Sequence, residues 1–210
     1  MRLEIITPST AEPLTIEEVK DQLRIEQGET GEDNLLRGFI RAARTRAENY
    51  TGRTLMRQTK KYYIDNWPVG EYIEIPDPPL IAIQSSCLTY VNSTGETNVV
   101  WSSGDNQWEI DKNSEPGRLY LKYGEDWPNE TLWNHDAVRI QFICGYGTTG
   151  RGYSTAVPEN IKLGMKMLIS HWYENRENTL VGQTINKIPD ATEALWSDYR
   201  VWRFEGWHKQ

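Results

Sequence analysis

Gly145-Tyr146-Gly147-Thr148-Thr149-Gly150 reads G-x-G-x-x-G directly after a strand pattern, the spacing of a loop that cradles a dinucleotide. Holding a pyrophosphate also takes a helix N-terminus at the glycines and an acidic residue on a following strand. Here the helix signals wait until Pro158, and no second strand follows. The segment therefore reads as a Gly-rich connection between a sheet and a helix. His171 and Glu174 share one helical face, with His135 and His208 elsewhere. A metal needs three or four ligands, so this pair reads as a surface histidine beside a carboxylate. Cys87 and Cys144 fall on strand patterns and read as small buried residues, not as a disulfide framework or a zinc site. Asp105, Glu109 and Asp111 offer a candidate carboxylate pair, but acid–base chemistry needs an apolar setting that raises one pKa. They lie along a polar strand edge and read as solvated. The chain has no G-x-S-x-G, Walker loop or H-E-x-x-H. Neither catalysis, nor a cofactor, nor a metal is expected.

Charge is distributed less evenly. Arg37, Arg41, Arg44, Arg46, Arg53, Arg57, Lys60 and Lys61 are opposed between positions 37 and 61 only by Glu48. That stretch carries +7 in a chain of net charge −7, so the remainder carries −14. Three readings stand: contact with the acidic body of another copy of the chain, phosphate contact along DNA, or a solvated, salt-screened helix face. The aromatics point to contacts too. Nine Trp and eleven Tyr stand against three Phe, and polar-tipped rings suit surfaces that are half apolar and half wet.

The elements that position these residues follow from hydrophobic period. Thr15 and Glu18 form a capping box, Leu14 and Val19 a hydrophobic staple, and Ile16, Val19 and Leu23 one face of a short helix ending at Gly28. Leu36, Phe39, Ile40, Ala43, Ala47 and Tyr50 define a second helix of about 19 residues that stops at Gly52. From Gln58 to Tyr146 the period changes to two, with turn clusters such as Trp67-Pro68-Val69-Gly70 and Pro76-Asp77-Pro78-Pro79. Short strands at this spacing predict an antiparallel module. Helix resumes at Val157-Pro158-Glu159, with Ile161, Met165, Leu168 and Trp172 in step. A last helix begins at Asp190, capped with Glu193, and bears Leu195, Tyr199 and Trp202. The fold class is thus α+β, a mainly helical core with an inserted antiparallel β module. The expected divisions are 13–57 (helical pair), 58–147 (β module) and 157–204 (helical pair).

Composition excludes other classes. The longest apolar run, Leu80-Ile81-Ala82-Ile83, is far short of the roughly 20 residues of a membrane span. Glu4, Thr7 and Pro8 stand where a signal peptide has its apolar core, so secretion by that route is not expected. A pI near 5.1 is not that of an autonomous nucleic-acid binder.

Five segments in order resemble phage head–tail connector (adaptor) proteins. They are Pro13-Leu14-Thr15-Ile16-Glu17-Glu18-Val19 with its continuation to Ile25; Ala47-Glu48-Asn49-Tyr50-Thr51-Gly52-Arg53; Phe142-Ile143-Cys144-Gly145-Tyr146-Gly147; Val157-Pro158-Glu159-Asn160-Ile161-Lys162; and His171-Trp172-Tyr173-Glu174-Asn175-Arg176-Glu177. The likeness runs from Pro13 to Trp202, in the longer branch that carries a β module between its helix pairs. It implies a structural protein and not an enzyme. Such a protein forms a ring, usually of twelve copies, below the portal of a tailed double-stranded DNA phage or prophage; gene transfer agents use related parts. The ring extends the DNA channel, passes DNA without reading its sequence, and presents a surface to stopper or tail-completion proteins. The implied location is the virion neck, after assembly in the host cytoplasm, with no membrane contact. The resemblance places Arg37, Arg41, Arg44 and Arg46 between subunits or toward the channel, and Leu195, Trp196, Tyr199, Trp202 and Phe204 at the portal. The alternatives are a DNA-binding module using the Arg37/Arg41/Arg44 stripe, or an enzyme.

Overall fold

The computed structural model describes residues 2–100, 107–147, 156–176 and 190–201, with the main chain only at 84–87 and 190. Residue contacts divide it into two units. One comprises the residues up to Ser9 and Arg57–Tyr146; the other holds Thr10–Met56 and the described residues from Gly147 to Val201. The architecture is α+β, as expected, with four helices and antiparallel sheets among the described residues.

In the helical unit, α1 spans Ile16–Leu23. The Glu18 N–H donates to Thr15 Oγ1 at 3.2 Å and the Thr15 N–H to Glu18 Oε2 at 2.8 Å, which is the predicted capping box. The helix ends before Gly28, at Arg24 in the left-handed region (φ 58°). The cause is Lys20, only 3% exposed. Its ammonium donates to the carbonyls of Glu29 (2.6 Å) and Gln27 (3.3 Å) and pairs with Asp33 Oδ1 at 2.7 Å. A buried cation must be fully partnered, so the chain leaves the helix early and wraps around it.

The second helix, α2, spans Asp33–Thr51 and buries Leu36, Ile40, Ala43, Ala47 and Thr51. It stops at Gly52 (φ 68°), where Val201 N–H donates to Thr51 O at 2.8 Å and a Cβ would press on Val201 O. In the third, α3 (Glu159–Glu174), Ile161, Gly164, Met165, Leu168 and Ile169 are buried. The fourth, α4, covers Asp190–Ser197. Its inner face is Thr192 and Trp196, both 0% exposed, one position out of step with the expected Leu195/Tyr199/Trp202 stripe. Trp196 settles the rotation: a side chain at Gly164 would overlap its indole, whose N–H donates to Ile161 O at 3.1 Å.

Glu18 also ties α1 to α3, 2.9 Å from Lys162 Nζ and 3.7 Å from Lys166 Nζ. Burial pushes its carboxyl up, but the Lys162 and Thr15 hydrogen bonds outweigh this and hold it below the ordinary range. A depressed carboxylate stabilises the fold above its unfolded pKa and ceases to as pH falls through the folded value. Glu18→Gln is therefore expected to be less stable than wild type at pH 7, with the gap closing as pH drops below 4.5. Urea titrations across pH measure this; a gap independent of pH would refute it.

The β unit contains one strand the sequence reading left unassigned. Arg2–Thr7 (β1) pairs antiparallel with Gln58–Ile64 (β2). The others are Tyr72–Ile75 (β3), Leu80–Val91 (β4), Thr97–Val99 (β5), Trp108–Asp111 (β6), Gly117–Leu121 (β7) and Val138–Cys144 (β8). They form a sheet ordered β1-β2-β8-β4-β5 and a second ordered β3-β7-β6, every pair antiparallel. Alternate residues of both sheets, including Tyr62, Ile73, Ile75, Leu80, Ile83, Leu119, Ile140 and Phe142, make one core. Gly117 faces Leu80 so closely that a Cβ would lie 2.6 Å from Leu80 Cδ2, which accounts for glycine at the start of β7. β2 and β8 join the rest of the chain at Gln58 and Cys144, which are register partners. The loops beyond Ile64, before Val138 and between β4 and β5 therefore gather at the opposite, distal end.

Candidate functional site

Arg37, Arg41 and Arg44 lie at helical spacing along α2 with Arg46 beside them. Three are already tied: Arg37 Nη2 stands 3.8 Å from Asp33 Oδ2, Arg44 Nε 3.0 Å from Glu12 Oε2, and Arg46 Nη2 3.7 Å from Glu193 Oε1. Arg41 is exposed and makes no ion pair among the described residues. Burial raises the Glu12 carboxyl above its usual range, with Arg44 and Arg41 pulling it down and Glu48 adding to the rise. Arg37, Arg44 and Arg46 are thus guanidiniums already paired with acids, while Arg41 offers an exposed charge without an ion pair among the described residues.

The +7 stretch of sequence does not make one surface. Arg53 lies in the helical unit with its Nε donating to Tyr199 O at 2.6 Å, and Arg57, Lys60 and Lys61 belong to the β unit. Lys60 is buried against Asp77, Nζ to Oδ2 2.7 Å. What remains outward on α2 is Arg37, Arg41 and Arg46, with Arg44 half-buried.

Of the residues implied for a portal contact, Leu195 on α4 and Tyr199 in the turn after it are half-buried. Trp196 is fully buried in the helical unit and offers no surface. Trp202 and Phe204 lie outside the described residues.

Among the described residues no reacting set comes together. Gly145 (φ 105°) and Tyr146 are described and Thr148 to Gly150 lie outside the described residues; the next described helix, α3, opens at Glu159. Among the described residues no three His, Cys, Asp or Glu side chains gather as metal ligands, and none of the helices is long and apolar enough to cross a membrane. His171 Nδ1 lies 3.4 Å from Asn175 Nδ2. Cys144 is buried, with Sγ 3.9 Å from Gln58 O; the Cys87 side chain, Asp105 and His208 lie outside the described residues. Asp111 accepts from the N–H groups of Asn113 (2.8 Å) and Ser114 (3.2 Å), which hold its carboxyl below the ordinary range. It shapes a turn.

Most of the described tryptophans and tyrosines pack within the chain. Trp67 stacks on Trp127 at 5.0 Å, Trp108 tilts against Trp127 at 5.0 Å, and Phe39 meets Trp172 at 6.0 Å. Among the described residues the exceptions are Tyr123 and Trp133, both in loops of the β unit. Tyr123 is fully exposed, Val69 84% and Trp133 41% exposed. These tips are not loose. Trp127 Nε1 donates to Gly70 O (2.7 Å), Trp133 N to Val91 O (2.9 Å) and Asp136 N to Asp65 Oδ1 (2.9 Å). Around them Asp65, Glu71, Glu96, Glu125, Asp126 and Glu130 are exposed, against the exposed Arg2 and the half-buried Lys122 and Arg139; Arg2 is paired with Asp136 at 3.2 Å. Glu130 also accepts from the Tyr90 hydroxyl; burial first and that bond second push the phenol up to about 12. Sequence reading missed this rim, though an apolar residue before glycine in two turn clusters, Val69-Gly70 and Tyr123-Gly124, was its visible sign.

Residues 13–114 match the family model of the phage gp6-like head–tail connector protein, a structural family. No curated protein matches the sequence. Among solved structures, a chain from the neck of an empty gene transfer agent (GTA) particle computed with C6 symmetry superposes with TM-score 0.75 at 23% identity, covering 98% of each chain. Chains from the virion of a native GTA particle (TM-score 0.72, 21% identity) and from the neck of a native GTA particle computed with C12 symmetry (0.70, 21%) cover 98% of both partners as well. These likenesses establish the same fold across both units.

Proposed function

Because residues 13–114 carry the phage gp6-like head–tail connector signature, we propose that the chain is a structural adaptor in the neck of a tailed phage, prophage or gene transfer agent. Copies form a ring below the portal, twelve in the particle, around a channel that passes double-stranded DNA. The ring joins the portal above to a stopper or tail-completion protein below. The observation that carries this reading is the fold: the chain superposes over 98% of its length on chains from GTA particles, two of them from necks computed with C6 and C12 symmetry. A net charge of −7 agrees with a channel component, since a wall that gripped phosphate would retard passing DNA. In this reading the α2 arginines face a neighbouring copy. Leu195 on α4, with Tyr199, Trp202 and Phe204 beyond it, meets the portal, while Trp196 holds α4 in place.

Electron microscopy of the chain mixed with its cognate portal tests the reading. The expected image is a ring of density coaxial with the portal, lost in the Arg37→Glu/Arg41→Glu/Arg44→Glu variant. A portal left bare by the wild-type chain would overturn the reading; a normal ring in the triple variant would overturn the role of the stripe.

A further inference from the structure

The distal rim of the β unit has the make-up of a protein interface. Tyr123, Val69 and Trp133 are exposed at its loop tips, and the exposed acids Glu71, Glu125 and Asp126 follow within three residues of Val69 or Tyr123 in the chain. Aromatic anchors inside a polar margin are the usual composition of binding hot spots. The hydrogen bonds of Trp127 to Gly70 and of Trp133 to Val91 hold the tips in one conformation, so docking orders little that is not already ordered. The carboxylates repel nucleic acid and attract cations, and exposed Tyr and Trp faces favour guanidinium in particular. A surface that fits is present on the same chain. α2 presents Arg37, Arg41 and Arg46 outward, and Arg41 is without an ion pair among the described residues.

We propose that the distal rim of one copy docks on the arginine stripe of α2 in a second copy. The contact is heterologous, an acidic aromatic patch against a basic helix, and contacts of that kind propagate and close into rings. It rests on the ring reading above and names the surface the stripe meets.

The test uses two charge-reversed full-length variants, Glu125→Arg/Asp126→Arg in the rim and Arg37→Glu/Arg41→Glu in the stripe. Self-association is measured by sedimentation velocity at low ionic strength, with circular dichroism confirming the fold. Each variant alone sets like charges against each other and is expected to associate at least about 100-fold more weakly than wild type. An equimolar mixture restores association, because the reversed rim meets the reversed stripe and the unaltered rim meets the unaltered stripe. Tyr123→Ala, at a fully exposed position, weakens association about 10-fold without touching charge. Wild-type chain that stays monomeric under these conditions would count against the ring reading itself. Association that survives rim reversal, or a mixture of folded variants that fails to recover, would overturn the rim–stripe pairing alone.

Discussion

Trp196→Ala is expected to destabilise the helical unit by about 3–5 kcal/mol, the range for emptying a fully buried Trp site. The indole is 0% exposed and fills the space that glycine leaves at position 164. Its N–H satisfies the Ile161 carbonyl at 3.1 Å, and its ring lies 5.9 Å from that of Tyr50 on α2. Truncation opens a cavity and also loses the second hydrogen bond to the Ile161 carbonyl, which by itself is worth roughly 0.5–1.5 kcal/mol. α4 is only eight residues long, too short to be helical by its own propensity, so α4 loses its helix with its anchor. Trp196→Phe separates the two terms. It keeps most of the volume and loses the hydrogen bond, and is expected to cost about 0.5–1.5 kcal/mol. Urea unfolding followed by far-UV circular dichroism measures both. A loss below about 1 kcal/mol for the alanine variant would mean that α4 is not held against α3 in this way. If α4 docks on the portal as proposed, Trp196→Ala should also weaken that docking, because the buried indole holds the helix.

Local chemistry made some of this legible in the sequence and hid the rest. The capping box at Thr15 and Glu18 and the glycine stop of α2 appear where spacing put them, because both depend on residues three or four apart. The antiparallel module was visible from its period of two, but the division into a five-stranded and a three-stranded sheet was not, because it depends on pairings between distant segments such as β2 with β8. β1 went unseen because a first strand has no preceding turn to frame it. The end of α1 was misplaced by a buried lysine: Lys20 needs carbonyls that only the following loop supplies, and composition carries no sign of that. Trp196 was placed on a contact face because a Trp among Leu195 and Tyr199 looks the same whether it points in or out; the glycine opposite it on α3 decides. The basic stretch misled for a related reason. Neighbours in sequence at 53–61 are parted by the boundary between the units, so a charge run became a short stripe and a buried Lys60–Asp77 pair.

Lys20→Ala is expected to cost about 3–5 kcal/mol, the range for removing one partner of a buried ion pair. The cost comes mostly from what is left behind. Asp33, with 18% of its side chain exposed, loses a cation at 2.7 Å, and the carbonyls of Glu29 and Gln27 lose their donor. Arg37 stands 3.8 Å from the other Asp33 oxygen and offsets part of this, which places the expectation in the lower half of the range. Neutralising both partners tests the assignment, because an apolar replacement of a buried pair is often nearly neutral. Lys20→Met/Asp33→Asn is therefore expected to be more stable than the sum of its single variants predicts by about 1–3 kcal/mol. Strict additivity in urea unfolding would show that the two charges do not act as a pair. The functional consequence follows from position: Lys20 sits on α1 and Asp33 begins α2, so the pair sets the angle at which α2 leaves the loop and hence where Arg37 and Arg41 stand. Lys20→Ala should weaken self-association even at concentrations and temperatures where the chain remains folded, while the double variant, which spares the arginines and relieves the orphaned charge, recovers most of it.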